Sequence, residues 1–191
     1  DAAAAHAAFG IFYNQGEVCT AGSRLLVDEK VKDAFLEKIV NAAKEYVPGD
    51  PLEPKTNFGA MVSEGQMKTV LGYIDTARKE GAALALGGNR VLANSGGYFV
   101  EPTVFEGVRP DSTLSQEEVF GPVLAVTTFR DADEALKMAN NTIFGLASGV
   151  WTRDISLAHR AAREIKAGLV WINGWDSCDI TMPFGGFKQS G

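Results

Sequence analysis

The chain has 191 residues, is 46% hydrophobic and 22% charged, and carries a formal net charge of -6. That balance suits one globular domain with a continuous core and argues against disorder. The acidic surface gives a nucleic-acid partner no electrostatic support, and no apolar run approaches the ~20 residues that span a bilayer. The expected partner is therefore a small molecule, with no nucleic acid and no membrane.

The alanine-rich start lacks the basic and apolar regions of a signal peptide. The first Met is Met61, which predicts a segment of a longer polypeptide. Asp1 is placed to cap a helix through the alanines to Phe12, and Asn14 and Gly16 are stop signals, so Cys19 follows a helix end. Residues 24–27 read as a short strand. Asp28 is expected to cap the next helix, where Val31, Phe35, Ile39, Ala42 and Ala43 recur at helical spacing, and Pro48 and Pro51 bracket a loop. Residues 64–80 carry an apolar stripe of Met67, Val70, Leu71, Ile74 and Ala77, closed by Gly81. A buried strand over 82–86 and a turn at Gly87 and Gly88 come next.

Aromatic and β-branched residues favour extended structure over 98–105 despite Pro102, and predict an edge strand. After the loop SQEEVFGP, strands at 123–129, 146–151 and 169–172 alternate with helices at 132–140 and 155–166. The alternation predicts a single α/β domain over 1–191, with a largely parallel sheet flanked by helices. No repeat or internal linker interrupts it.

Thiol chemistry needs the thiolate, and a free cysteine with a pKa of ~8.5 supplies little of it unaided. Gly16 and Gly22 allow tight backbone on either side of Cys19, so amide N–H groups there could face a developing oxyanion. Spacing alone does not lift Cys19 above a half-buried small hydrophobe. His6 and His159 are isolated, so no Cys and His pair follows from pattern. Cys19 and Cys178 are far apart and lack the spacing of a disulfide framework or zinc site, which points to a reducing, cytoplasmic compartment and to no metal. No GxGxxG, P-loop or GxSxG occurs. Glu117 and Glu118 read as a solvated turn, or as a carboxylate that accepts ribose hydroxyls. Trp175, Asp176, Cys178 and Asp179 form a further loop, suited to a mouth for a cationic group or to a packed connection.

Taken together, NQGEVCTAGSR, EEVFGPV and PFGGFKQSG, in this order and at these separations, resemble the NAD(P)-dependent aldehyde dehydrogenase superfamily. The likeness covers essentially the whole chain, as the catalytic domain of a longer protein. FYNQGEVCTAGSRLLV and SGVWTRDISLAHR are most similar to bacterial γ-glutamyl-γ-aminobutyraldehyde and related ω-amino or guanidino aldehyde dehydrogenases of polyamine catabolism.

The resemblance implies that the Cys19 thiolate attacks an aldehyde to give a thiohemiacetal, with the Cys19 N–H as half of the oxyanion hole. Hydride transfer to NAD or NADP then leaves a thioester, which water hydrolyses to the acid. It places Glu118 on the nicotinamide ribose and Phe120 beside the nicotinamide. Tyr13 and Val18 fall near the substrate tunnel, and the loop 174–184 anchors substrate with Trp175 and Phe184 at aromatic positions. Cys178 stands where many relatives carry a bulky residue, which implies a wider mouth and makes Asp176 and Asp179 candidates for attracting an amino or guanidino terminus. Glu17, Val18 and Thr20 depart from the commonest spelling around the nucleophile. The superfamily's general base, oxyanion asparagine, cofactor-binding domain and C-terminal oligomerisation segment fall outside this chain. The 191 residues alone are thus expected to be inactive, and the parent protein to be a homodimer or homotetramer. Two alternatives stay open: a coenzyme A-acylating aldehyde dehydrogenase, and a noncatalytic binding domain with Cys19 as a redox-sensitive thiol.

Overall fold

A computed structural model describes residues 1–191. The chain is built around a four-stranded sheet in the order β1 (Arg24–Asp28), β6 (Val123–Phe129), β5 (Thr103–Glu106), β2 (Ala83–Leu86). The β1/β6 and β5/β6 pairs are parallel, and β2 joins β5 antiparallel at one edge. Fold class and mostly parallel order match the expectation from sequence.

Side chains of the central strands alternate between two faces, as strand geometry requires. On one face Phe105, Val123 and Ala125 pack with Met67, Val70, Ile74 and Ala77 of α3 (Glu64–Lys79). On the other, Val104, Leu124 and Val126 meet Ala4, Ala8, Ile11 and Phe12 of α1 (Ala2–Phe12), and Ile39 and Ala43 of α2 (Lys32–Ala43). Val104 and Phe105 are both fully buried, and truncating a buried Phe to Ala costs about 3–5 kcal/mol. A third cluster, Leu136, Ala161, Ile165 and Ala167, joins α5 (Ala132–Asn140) and α6 (Ile155–Glu164). It lies beside a separate parallel pair, β7 (Ala147–Val150) and β8 (Leu169–Ile172).

Local signals explain most of the element ends. Ser63 Oγ accepts from Gln66 N–H at the start of α3, Asp131 from Glu134 N–H at the start of α5, and Asp154 from Ser156 and Leu157 N–H at the start of α6. Gly81, at φ +89°, ends α3 as expected. At the C-terminal end of α5 two cations meet its carbonyls: Arg24 Nη2 donates to Met138 O at 2.8 Å, and Lys188 Nζ to Asn140 O and Thr142 O at 3.0 Å. Phe187 N–H also donates to Gly145 O at 2.9 Å, so the segment PFGGFKQSG is pinned beside α5.

The structure corrects several expectations. The strand expected to be buried, β2, is the sheet's edge, with Ala83 and Leu84 exposed. Asp1 precedes α1, but its side chain makes no capping bond. Asp28 does not cap α2; its Oδ1 accepts from Lys30 N–H in a turn, and the helix begins after Val31. The predicted edge strand over 98–105 is two strands. Phe99–Val100 (β4) pairs with Arg90–Val91 (β3), which the sequence reading missed, whereas β5 is interior. Pro102 precedes β5 and so removes no ladder bond, which is why an imino acid tolerates this position. Part of SQEEVFGP is helical, in the single turn α4 (Thr113–Gln116).

Candidate active site

The helix α1 does not run directly into the segment that carries Cys19. It passes into a 3-10 turn, Tyr13–Gly16, with Asn14, Gln15 and Gly16 all at positive φ (48°, 58° and 74°). Left-handed non-glycine residues store strain that recurs at functional sites. The next reversal is the turn 18–21, closed by Ala21 N–H donating to Val18 O at 2.9 Å. Cys19 occupies its second position with an exposed thiol, and its own N–H donates to no protein acceptor. An accessible sulfur beside an uncommitted amide is the local arrangement that acyl chemistry uses.

Two clamps hold this segment. Gln15 Oε1 accepts from Gly59 N–H at 2.9 Å, and both Glu17 oxygens accept from Val62 N–H at 3.1 Å. Burial pushes the Glu17 carboxyl above its ordinary value, against the lowering effect of the Val62 N–H. Gly16 packs directly on Gly121: a Cβ there would overlap the Gly121 carbonyl. The turn carrying Cys19 and the loop carrying Glu118 and Phe120 are thereby brought together.

Helix α3 fixes that second loop. Gln66 Nε2 donates to Val119 O at 3.0 Å and to Phe120 O at 2.8 Å. Tyr73 Oη donates to Glu117 Oε2 at 2.8 Å, and this bond, with burial and the neighbouring acids, pushes the tyrosine hydroxyl's pKa up. Glu117 and Glu118 are both exposed, but only Glu117 is engaged by a side-chain donor, and Phe120 is exposed at φ +54°. Sequence reasoning missed Gln15, Gln66 and Val62. The S-x-x-Q spacing of Ser63 and Gln66 was the available signal, but it announces a helix cap, and the amide turns outward to the loop instead.

The remaining candidates are distributed as follows. Tyr13 is exposed with its ring 5.1 Å from that of Phe9, and Val18 is half-buried at the start of the Cys19 turn. Asp176, Cys178, Asp179 and Phe184 are exposed on the loop after β8. Cys178 Sγ lies 3.9 Å from Asp176 Oδ1. Asp179 Oδ1 accepts from Thr181 Oγ1 at 2.6 Å and Thr181 N–H at 2.8 Å, and these bonds, the hydroxyl's first, hold its carboxyl below the ordinary range. Trp175 is half-buried, with its ring turned inward against glycines and 5.1 Å from that of Trp171. His6 stacks on Trp151 at 5.2 Å and His159 is exposed on α6, so each has a place unrelated to the turn. No group of three or more His, Cys, Asp or Glu is arranged to hold a metal ion, and no helix is long and apolar enough to cross a membrane.

Known proteins resemble this chain in both sequence and fold. The family model described as "Aldehyde dehydrogenase family" matches residues 1–191. The aminoacetaldehyde dehydrogenase of Pseudomonas aeruginosa is 46% identical over 191 residues, covering 100% of this chain and 38% of that protein. Among solved structures, an indole-3-acetaldehyde dehydrogenase complexed with NAD+ superposes with a TM-score of 0.98 at 54% identity, covering 100% of this chain and 38% of that one. The γ-glutamyl-γ-aminobutyraldehyde dehydrogenase of Burkholderia cenocepacia gives 0.97 at 54%, covering 100% and 39%. The chain thus spans about 38% of the length of relatives it matches. With the fold, the matched residues and the clamped cysteine turn in agreement, the chain belongs to the aldehyde dehydrogenase family.

Proposed function

We propose that residues 1–191 form the catalytic domain of a longer, NAD- or NADP-dependent aldehyde dehydrogenase in which Cys19 is the nucleophile. The observation that carries this reading is the Cys19 turn itself, with an exposed thiol and an unbonded amide N–H, clamped to the loop of an exposed acid. The thiolate sulfur attacks the aldehyde carbon, and the carbonyl electron pair moves to oxygen, where the Cys19 N–H donates to it. Glu118, free of the bond that occupies Glu117, suits two ribose hydroxyls of a dinucleotide, and Phe120 offers an apolar face beside them. A dinucleotide held by Glu118 and Phe120 would supply the hydride acceptor that oxidation of the Cys19 thiohemiacetal to a thioester needs. Water then releases the carboxylic acid and returns the thiol.

The substrate class that fits is an aldehyde with an amino, guanidino or other polar end. Asp176 and Asp179 support this by placing two exposed carboxylates on the loop that carries Phe184. Two of the relatives above are named for nitrogen-bearing aliphatic aldehydes and one for an aromatic aldehyde, and the two solved structures, one of each kind, are equally identical at 54%. The acids, rather than overall likeness, therefore support the substrate reading. A cytoplasmic homo-oligomer acting in polyamine catabolism is the setting that accords with it.

The test is rapid acid quench of the full-length enzyme mixed with cofactor and an ω-aminoaldehyde, followed by peptide mass analysis. An acyl mass on the peptide containing Cys19 is expected, together with loss of turnover in Cys19→Ser. Turnover surviving in Cys19→Ala would sink the assignment.

A further inference from the structure

Trp175 follows β8, and its indole occupies a slot walled by three glycines from three separate segments. A Cβ at Gly149, in β7, would stand 2.7 Å from Cε3 of the indole; at Gly10, in α1, 3.0 Å from Cε2 and Nε1; and at Gly22, 3.1 Å from Cη2 and Cζ2. A Cβ at Gly149 would force the ring to shift, and one at Gly10 or Gly22 would press on it tightly enough that the ring must give by a few tenths of an ångström. The walls are themselves joined: Gly22 N–H donates to Gly10 O at 2.9 Å, and Gly149 is in register with Trp171 across β7 and β8. Trp171 in turn packs its ring 5.1 Å from that of Trp175 and donates from Nε1 to Ser177 O at 3.2 Å, closing the loop over the pair. Gly22 immediately follows Ala21, whose N–H closes the turn of Cys19.

We propose that Trp175 is a positioning residue, a rigid wedge that sets the Cys19 turn against the loop carrying Asp176, Cys178 and Phe184, and acts through Gly22 rather than by touching substrate. The sequence reading placed Trp175 at the substrate mouth; the inward ring assigns it the other role. A bicyclic ring with two side-chain torsions fills such a slot at low entropic cost, and displacement of a reacting atom by about 1 Å costs on the order of 10²-fold in rate. The inference rests on Cys19 being the nucleophile.

The test uses the full-length enzyme and its Trp175→Phe and Gly149→Ala variants, the second pressing on the indole from the wall farthest in sequence from Cys19. Folding is checked by circular dichroism and thermal unfolding. Alkylation of Cys19 by iodoacetamide, followed on its peptide by mass analysis, needs neither aldehyde nor cofactor. Both variants are expected to change the Cys19 alkylation rate and to lower kcat about 10- to 100-fold, by the same factor for an ω-aminoaldehyde and an aromatic aldehyde, with KM little moved. In the double variant, the smaller ring is expected to relieve the added methyl and restore part of the rate. Folded variants with wild-type alkylation and kcat overturn the proposal. So does a KM change confined to one aldehyde, which would make Trp175 a substrate contact. If the wild type oxidises no aldehyde while alkylation still depends on Trp175, the functional reading falls and the wedge stands.

Discussion

Gly16 and Gly121 meet backbone to backbone, with no space for a side chain at Gly16. Their contact joins the turn of Cys19 to the loop of Glu118. Gly16 also sits at φ +74°, so Gly16→Ala adds left-handed strain of about 1 kcal/mol to an overlap that costs about 1–3 kcal/mol when backbone must shift. Denaturant unfolding of the full-length protein is expected to show a loss of about 2–4 kcal/mol in all, with a parallel fall in NAD turnover. Unchanged stability and turnover would mean that the two loops do not depend on this contact.

Within the second loop, the Val119 and Phe120 carbonyls are held by one side chain. Gln66 Nε2 bonds both Val119 O and Phe120 O, keeping Phe120 left-handed and Glu118 outward. Gln66→Leu removes both donors and leaves Ser63 able to cap α3. The expected result is a several-fold rise in KM for the dinucleotide with a smaller change in kcat, read by steady-state kinetics at varied cofactor. A change in aldehyde KM alone would place the effect elsewhere.

Period and cap signals made the fold legible because they are local. The stripe of Met67, Val70, Ile74 and Ala77 and the stop at Gly81 lie where the pattern put them. One local signal failed as well, since the Asp28 carboxylate closes a turn on Lys30 N–H instead of capping α2, but the larger failures came where pairing is nonlocal. Nothing in Thr103–Glu106 itself says that β6 and β2 lie on either side, and nothing in Arg90–Val91 says that Phe99–Val100 will pair with it. The roles proposed for Cys19 and Glu118 came only through resemblance, since small polar residues about a cysteine also describe an ordinary surface turn. Gln15, Glu17 and Gln66 were illegible for another reason: their bonds reach across 44 to 54 residues of sequence. Lys188 belongs with them, because its role at the end of α5 depends on carbonyls 46 and 48 residues away.

Glu17 gives the site a pH dependence whose sign can be worked out. Its folded pKa is raised by burial above the ordinary 4.5. Such a carboxyl stabilises the fold fully below the unfolded pKa, and that contribution is lost as pH rises through the folded value. Glu17→Gln keeps a carbonyl for Val62 N–H and carries no charge. The variant is therefore expected to match the wild type near pH ~3.5 and to exceed it in Tm at neutral pH, the gap opening upward from pH ~4.5. A gap that stays constant from acid to neutral pH would show that desolvation of Glu17 does not act on folding.

On the proposed reading, Asp176 and Asp179 act on substrate choice through their charge. Thr181 holds the Asp179 carboxyl below its ordinary range through one oxygen, so the group stays ionised throughout the neutral range and its influence is flat there. Exposed carboxylates attract a substrate cation only weakly across water. Replacing both by Asn is then expected to raise KM for an ω-aminoaldehyde about 3- to 5-fold at low salt. KM for a neutral aldehyde of similar length should be unmoved, and the difference should fade near ~0.5 M salt, where the screening length is only a few ångströms. Steady-state kinetics of the full-length Asp176→Asn/Asp179→Asn enzyme at two ionic strengths decides it. Equal KM changes for charged and neutral aldehydes would point to loop shape, and no change for either would remove the acids from substrate selection.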